Sequence, residues 1–432
     1  MGNHTVRLVA CSAAVLFALC TAPGAASASF TAPRPISPSN QFSSTPSVGI
    51  ATDKTAIVVW NAIGIKMRIV HPDGSMGPVR DVSSSDPTVR DPQVAVAPNG
   101  DALIVWGIYS SSHFVIQARS WTRAGQFGPV VTLSSTDQNA EKPLVGIASD
   151  GSAVVVWHRY DNPLSVIQGR IRPAGRSFFK PVVDLSVSSQ SAVNPQLAIN
   201  PAGHAVIVWQ NDNGTRSTIQ ARLRTAKVNS FGEVQDLSVI TADASFPAVA
   251  ITSDGSATAV WQIIDGAGFR VQARARSGLN AFGSPQFLSD VVGISGPLPQ
   301  IAVNAAGKAV ATWHRFVTDH WEVDASIRPA DGAPFGTVQV MSGQKSGQNA
   351  KAIVNGLGHA VVVWPYNNGT INRLAERTVY SGGGLTSIQL LSPAGQDTTP
   401  PQITPRGNKA FVVWAGRPPG DAYRRIWISE GQ

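Results

Sequence analysis

The chain has 432 residues, 43% of them apolar and 14% charged, a balance that excludes a disordered or polyelectrolyte-like protein. A formal net charge of +8 is a small excess for this length, favouring acidic surfaces without demanding them. Two cysteines exclude a disulfide scaffold, and 25 arginines against 9 lysines point to a GC-rich bacterial genome.

The N-terminus reads as a secretory signal over residues 1–28. A basic start ending at Arg7 precedes the apolar run Leu8 to Leu19, and small residues follow through Ala26-Ser-Ala28, where cleavage is expected. The apolar run is too short to span a bilayer. Leu8-Val-Ala-Cys11 has the form of a lipoprotein box but lacks an apolar segment before it, so release as a soluble extracellular protein is expected. Cys11 and Cys20 both lie in the signal. The mature chain is expected to be a monomer from residue 29 onward, with 29–45 as a closing strand and linker and 46–432 as repeats.

The repeats are marked by eight tryptophans: Trp60, Trp106, Trp157, Trp209, Trp261, Trp313, Trp364 and Trp414. Spacings of 46 to 52 residues signal units that bury their faces only against neighbours. Each unit reads as four short strands. Strand A follows a proline, as in Pro195-Gln-Leu-Ala-Ile199; a turn such as Asn99-Gly100 or Asp254-Gly255 supplies the positive φ of a tight hairpin. Strand B is an apolar run ending in Trp, strand C carries Ile-Gln-Ala-Arg as at Ile116 to Arg119, and strand D ends in an aliphatic-Ser pair. An Ala stands four residues before each Trp (Ala56, Ala102 and Ala153 begin the series), and Gly or Ala interrupts strand A at Gly49, Ala95 and Gly146. Small residues there suit strands converging on an axis.

The aliphatic-Ser pair also occurs eight times, but its first copy, Ile36-Ser37, precedes any strand A, and the last unit lacks a strand D. These facts predict an all-β, eight-bladed propeller of four-stranded blades, closed by an N-terminal strand that completes the last blade.

The run Pro-x-Val-Ala-x-x-x-x-Gly-x-Ala-x-x-x-Trp, followed by Ile-Gln-Ala-Arg, resembles repeats of secreted actinobacterial propeller proteins, mostly of unknown function. The resemblance covers nearly all of residues 30–432 and implies fold and export, but no site residues. A looser likeness is to sialidase-type propellers. In their Asp-box an Asp and a Gly are separated by one residue, whereas Ser149-Asp150-Gly151 and Ser253-Asp254-Gly255 join them, so no sialidase site carries over. The docking pattern of quinoprotein dehydrogenases is absent.

No His-x-x-x-His, calcium-loop or cofactor motif is present, so no metal or cofactor is expected. The position after each A–B turn (Thr55, Asp101, Ser152, His204, Ser256, Lys308, His359, Lys409) is variable and reads as an exposed turn residue. Arg119, Arg170, Arg222, Arg274 and Arg377 form one strand C row; Arg172, Arg224, Arg276 and Arg328 form a second. They read as inter-blade packing in preference to a polyanion-binding ring. Without regular aromatic partners they argue against nucleic acid.

The B–C loops vary most and combine rings with polar groups. Tyr109, Tyr160 and Trp321 are the candidate stacking residues for a glycan or other extracellular polymer, with His158, Arg159 and Arg315 as polar contacts. A non-catalytic lectin-like role is the leading expectation. The alternatives are a glycosidase, drawing on carboxylates such as Asp161, Asp212, Asp265, Asp319, Glu322 or Asp421, and a protein-interaction scaffold.

Overall fold

The computed structural model describes residues 29–431 apart from 111, 162, 240, 265, 267, 292–295 and 344–345. The expected signal sequence lies outside the described residues. Eight antiparallel sheets follow one another in chain order: blades 1 (44–81), 2 (90–132), 3 (139–184), 4 (191–236), 5 (243–287), 6 (300–340), 7 (351–390) and 8 (397–431). Strands A to D of each blade pair consecutively, and the inner strands touch their neighbours all the way round, blade 8 meeting blade 1. The chain is an eight-bladed β-propeller.

Every tryptophan of the series is buried, and each packs on the preceding blade. Trp106 meets Ile57, Val59, Ile65 and Met67 of blade 1, and Trp157 meets Val105 and Ile116 of blade 2. Strand B is therefore covered on both faces, which is why it reads as an unbroken apolar run. At the axis, strands A approach so closely that a Cβ on Gly146 would lie 2.2 Å from Ile199 Cγ2, and one on Gly49 2.6 Å from Val96 Cγ2.

The aliphatic-Ser pair is a staple. In all eight blades its Ser Oγ accepts a strand C amide at 2.8–3.1 Å, from Ser83 with Ile65 through Ser392 with Leu374. The eighth staple joins the chain ends: Ser37 Oγ accepts Ile426 N at 2.9 Å, while Ile36 N donates to Ile426 O at 2.8 Å. Arg34–Pro35 pairs with Ile428 and Trp427, and Thr31 N donates to Glu430 O. Ile36 is fully buried beside Trp60 and Val413. The N-terminal strand thus completes blade 8.

Two sequence expectations about strand limits are corrected. Strand A begins before its proline in blades 1 to 5, as in Ser191–Ile199, with a register shift at the proline, which has no N–H to give the ladder. Strand B continues past its Trp, as in Ala102–Ser110, Ala153–Asp161 and Ala309–Val317. The B–C connections are accordingly short hairpins, such as Val317 paired with His320.

One core position breaks the repeat. Glu376 is fully buried where strands C of blades 2 to 6 place Ala118, Gly169, Ala221, Ala273 and Ala325, and those of blades 1 and 8 place Met67 and Ile428. Burial pushes its carboxyl up to about 8, against a hydrogen bond from Thr378 Oγ1 at 3.2 Å that pulls it down.

Two predictions follow from closure and from this carboxyl. Ile36→Ala should cost about 2–4 kcal/mol in denaturant unfolding, and deletion of 29–40 should cost more; an unchanged midpoint for the deletion would refute the closure. As pH rises from about 4.5 toward 8, the unfolded chain releases the Glu376 proton while the native state retains it, so native stability falls across that window. Glu376→Gln should leave the unfolding free energy nearly unchanged at pH 4.5 and raise it at pH 8, by on the order of a few kcal/mol in denaturant titrations.

Candidate functional site

The B–C hairpins and D–A connections share one face of the ring. At its centre the backbone is strained in a repeating way. Thr45, Asp91, Lys142, Asn194, Phe246, Leu298 and Asn349, one in each of blades 1 to 7, have φ between 43° and 54°. Six of them immediately precede the strand A proline. A β-branched, aromatic or aliphatic residue in this region costs on the order of 1–3 kcal/mol. The prolines are buried, whereas Thr45, Lys142, Phe246 and Asn349 are exposed and Asp91, Asn194 and Leu298 half-buried. A constant bulge thus holds a variable side chain at the mouth of the central channel. The sequence signal was available as a changing residue before a repeated proline, but its left-handed conformation was not.

Two pockets adjoin on this face. One, of about 350 Å³, lies at the channel mouth across blades 4 to 8, with Asn194, Phe246, Leu298, Gln300 and Lys351 among its lining residues. Lys351 Nζ donates to Gln300 Oε1 at 2.7 Å, and burial lowers the pKa of the ammonium. The other, of about 360 Å³, lies among blades 6, 7 and 8, lined by Trp321, Ser346, Gly347, Gln348, Asn349, Pro365, Asn367, Asn372, Thr398 and Pro400. Its walls are tied together: Gly347 N donates to Trp321 O at 2.9 Å, Asn367 Nδ2 to Asn372 Oδ1 at 3.1 Å, and Thr398 Oγ1 to Asn372 O at 3.0 Å. Gly347 crosses so close over Trp364 that a Cβ there would lie 2.4 Å from Cδ1 of the ring.

The six residues singled out from sequence stand on strand ends, not in loops, and fall into two groups. Tyr109, His158, Arg159 and Tyr160 belong to blades 2 and 3, Arg315 and Trp321 to blade 6, with blades 4 and 5 between. They do not form one small-ligand pocket. Tyr109 is exposed and packs edge-on to Phe114 at 5.0 Å; the Arg90 guanidinium lies 3.3 Å from that ring's centroid and 2.6 Å from Glu141. Burial lowers the His158 pKa, helped by the charge of Lys142, and burial raises that of Asp91. Arg159 lies 3.8 Å from Asp184, and Tyr160 is exposed.

In blade 6, Arg315 is committed to ion pairs, with Asp324 at 2.6 Å and Glu322 at 2.7 Å, so it is not a free ligand contact. Burial lifts Asp324 to about 6 even against the pull of Arg315, and burial drops His314 to about 4. Trp321 packs edge-on to His314 at 4.9 Å and to Phe316 at 5.3 Å, and it is one of the residues that line the pocket.

Of the carboxylates considered for hydrolysis, Asp319 and Glu322 stand on either side of the His320 ring, at 2.9 and 3.5 Å, and Asp212 and Asp421 are held in separate local contacts. Asp212 Oδ1 accepts Gly214 N, Asp319 bonds His320, Glu322 bonds Arg315, and Asp421 bonds Arg425. Asp265 lies outside the described residues, and Asp161 ends strand B of blade 3. Among the described residues no three metal-ligating acid, His or Cys side chains cluster.

The position after the A–B turn is corrected too. Ser152 and Ser256 are buried there, and Thr55, Asp101, His204, Lys308 and His359 half-buried. His204 Nδ1 accepts Ala226 N at 3.0 Å, and His359 packs edge-on to Tyr380 at 4.9 Å. These side chains close the space between the A–B and C–D turns.

Arginines in both rows serve the scaffold. Arg119 Nε donates to Gly128 O of its own blade and Nη1 to Val82 O of the blade before; Arg170 and Arg377 bridge blades in the same way. In the second row Arg224, buried, donates to Gly203 O, Val228 O and Ser152 Oγ, and Arg328 to Gly307 O and Thr258 Oγ1. The hydrogen bonds of Arg119, Arg170, Arg224 and Arg377 go to carbonyls and hydroxyls of the scaffold. Arg224→Met should lower stability by about 2–4 kcal/mol by orphaning those acceptors, yet leave elution from a heparin column unchanged. Earlier elution of a still folded variant would restore the polyanion reading.

No family model matches the sequence, and no curated protein matches it either, so the resemblance to secreted actinobacterial propellers has no matching family behind it. Similar solved structures include a protein of unknown function from Dyadobacter fermentans (10% identity over 94% of this chain and 100% of that one, TM-score 0.46). The polysaccharide lyase Uly1 is 8% identical over 78% of this chain and 89% of its own, with a TM-score of 0.49. The α-L-arabinanase of Penicillium chrysogenum, complexed with arabinobiose, is 12% identical over 69% and 98%, with a TM-score of 0.43. At these values no activity or residue role transfers to this chain.

Proposed function

We propose that the protein is an exported, monomeric, non-catalytic propeller that binds carbohydrate in the pocket around Trp321. The observation supporting this is the chemistry of the lining: an indole flanked by Asn349, Asn367, Asn372, Gln348, Ser346 and Thr398, with no ionisable side chain among the lining residues. An indole accepts the C–H face of a sugar ring, while amides and hydroxyls, each able to donate and accept, match vicinal hydroxyls. A neutral oligosaccharide suits this site better than a polyanion. Hydrolysis of a glycosidic bond needs two carboxylates roughly 5–10 Å apart, and this pocket lining contains neither. Tyr109 and Tyr160 are exposed two and more blades away, where only a long polymer filling the pocket would also reach them.

The test is a glycan array followed by calorimetry with the best neutral di- or trisaccharide. Trp321→Ala should weaken binding at least tenfold with a native circular dichroism spectrum, and Tyr160→Ala should leave it unchanged. Unaltered affinity in the Trp321 variant would refute the site; release of new reducing ends would replace the reading with a glycosidase.

A further inference from the structure

The channel mouth carries a chemistry different from that of the Trp321 pocket beside it. Its wall is largely apolar, built from Phe246, Leu298 and the strand A prolines, and it contains one cation, Lys351. Lys351 follows Ala350 at the position where other blades place Gln93, Gln196, Gln300 and Gln402 after the bulge proline. Side chains at this position link two pairs of neighbouring blades, and in blades 1 and 2 Ser47 Oγ donates to Gln93 Oε1 at 3.3 Å. In blades 6 and 7 the link is Gln300 Oε1 accepting from Lys351 Nζ. An ammonium has three donors, and among the described residues no carboxylate pairs with this one. Burial alone perturbs it, with no compensating acid. Lys351 is half-buried and its ammonium has one neutral acceptor among the described residues, so an anion that joined it would offset the loss of hydration.

We infer that the channel mouth is a second binding site, which takes a small ligand with an apolar body and a single carboxylate, the carboxylate on Lys351 and the body against Phe246 and Leu298. The bulge backbone supports this assignment. Phe246 and Leu298 are held toward the mouth by left-handed conformations (φ 51° and 43°) that neither residue type favours. Phe246 is left 43% exposed at the rim. The volume, about 350 Å³, is at the lower end of small-molecule sites. A phosphate dianion fits less well, because most of the exposed wall is apolar and Lys351 is the one cation among the lining residues. The site is independent of carbohydrate binding, although the two pockets share Asn349 and Pro400 at their boundary.

The probes are 3-phenylpropanoate, its uncharged amide and inorganic phosphate, titrated by calorimetry against the full-length protein. The acid should bind at least tenfold tighter than either of the others. Lys351→Met should remove that preference. Gln300→Glu, which supplies Lys351 with an internal carboxylate while retaining the link between blades, should remove it too, and this decides the matter if Lys351→Met fails to fold. Trp321→Ala should leave acid binding intact, separating this site from the carbohydrate pocket. Equal binding of acid and amide, phosphate binding as tight as the acid, no binding of any probe, or full acid affinity in folded Gln300→Glu would each overturn the assignment.

Discussion

The rest of the structure depends on the bond between the two ends of the chain. A propeller blade is stable only when its tryptophan face and its opposite face are both covered, so the ring must close or leave two blades half-exposed. Here Ile36-Ser37 repeats, on a strand from the other terminus, the staple that closes each of the other blades internally. With it in place, Trp60 of blade 1 is buried against Ile36 and the last two strands of blade 8. The same small motif therefore serves as an internal clip seven times and as the ring's clasp once.

Charge is distributed in keeping with that scaffold. The two arginine rows cross between blades and terminate the carbonyls of turns and outer strands, which a planar five-donor group does well and an ammonium does poorly. Many of the acids are similarly committed to turns or ion pairs. On the B–C and D–A face stand a neutral, amide-rich pocket and, next to it, a lysine with no paired acid among the described residues. Glu376 is the exception inside the core, a carboxyl held neutral at an alanine position.

The face itself separates constancy from variation more cleanly than loops would. The variable side chains stand on strand ends and on one repeated bulge, so their backbones are held by the sheet and only their chemistry changes from blade to blade. Such a surface is preorganised, and binding to it loses little in ordering the protein.

By itself the sequence determined the all-β class, the blade count, the tryptophan core and the clasp, because each rests on a period or a count that one chain displays: eight tryptophans, eight aliphatic-Ser pairs, and one of those pairs displaced to the front. It also indicated aromatic residues at the ends of strands B and C. Only the tertiary structure decided which of them share a pocket. Tyr160 and Trp321 look equivalent in a linear reading but lie in blades with two others between them, whereas Trp321, Asn349, Asn372 and Thr398 come together from three blades. The left-handed residue before the strand A proline of blades 1 to 6, the neutral role forced on Glu376 and the commitment of Arg315 to two carboxylates were likewise hidden. The physical reason is the same in each case. A repeat spaced by about fifty residues reports what every blade does alone, while a site, an ion pair or a buried carboxyl is set by what neighbouring blades bring within a few ångströms of one another.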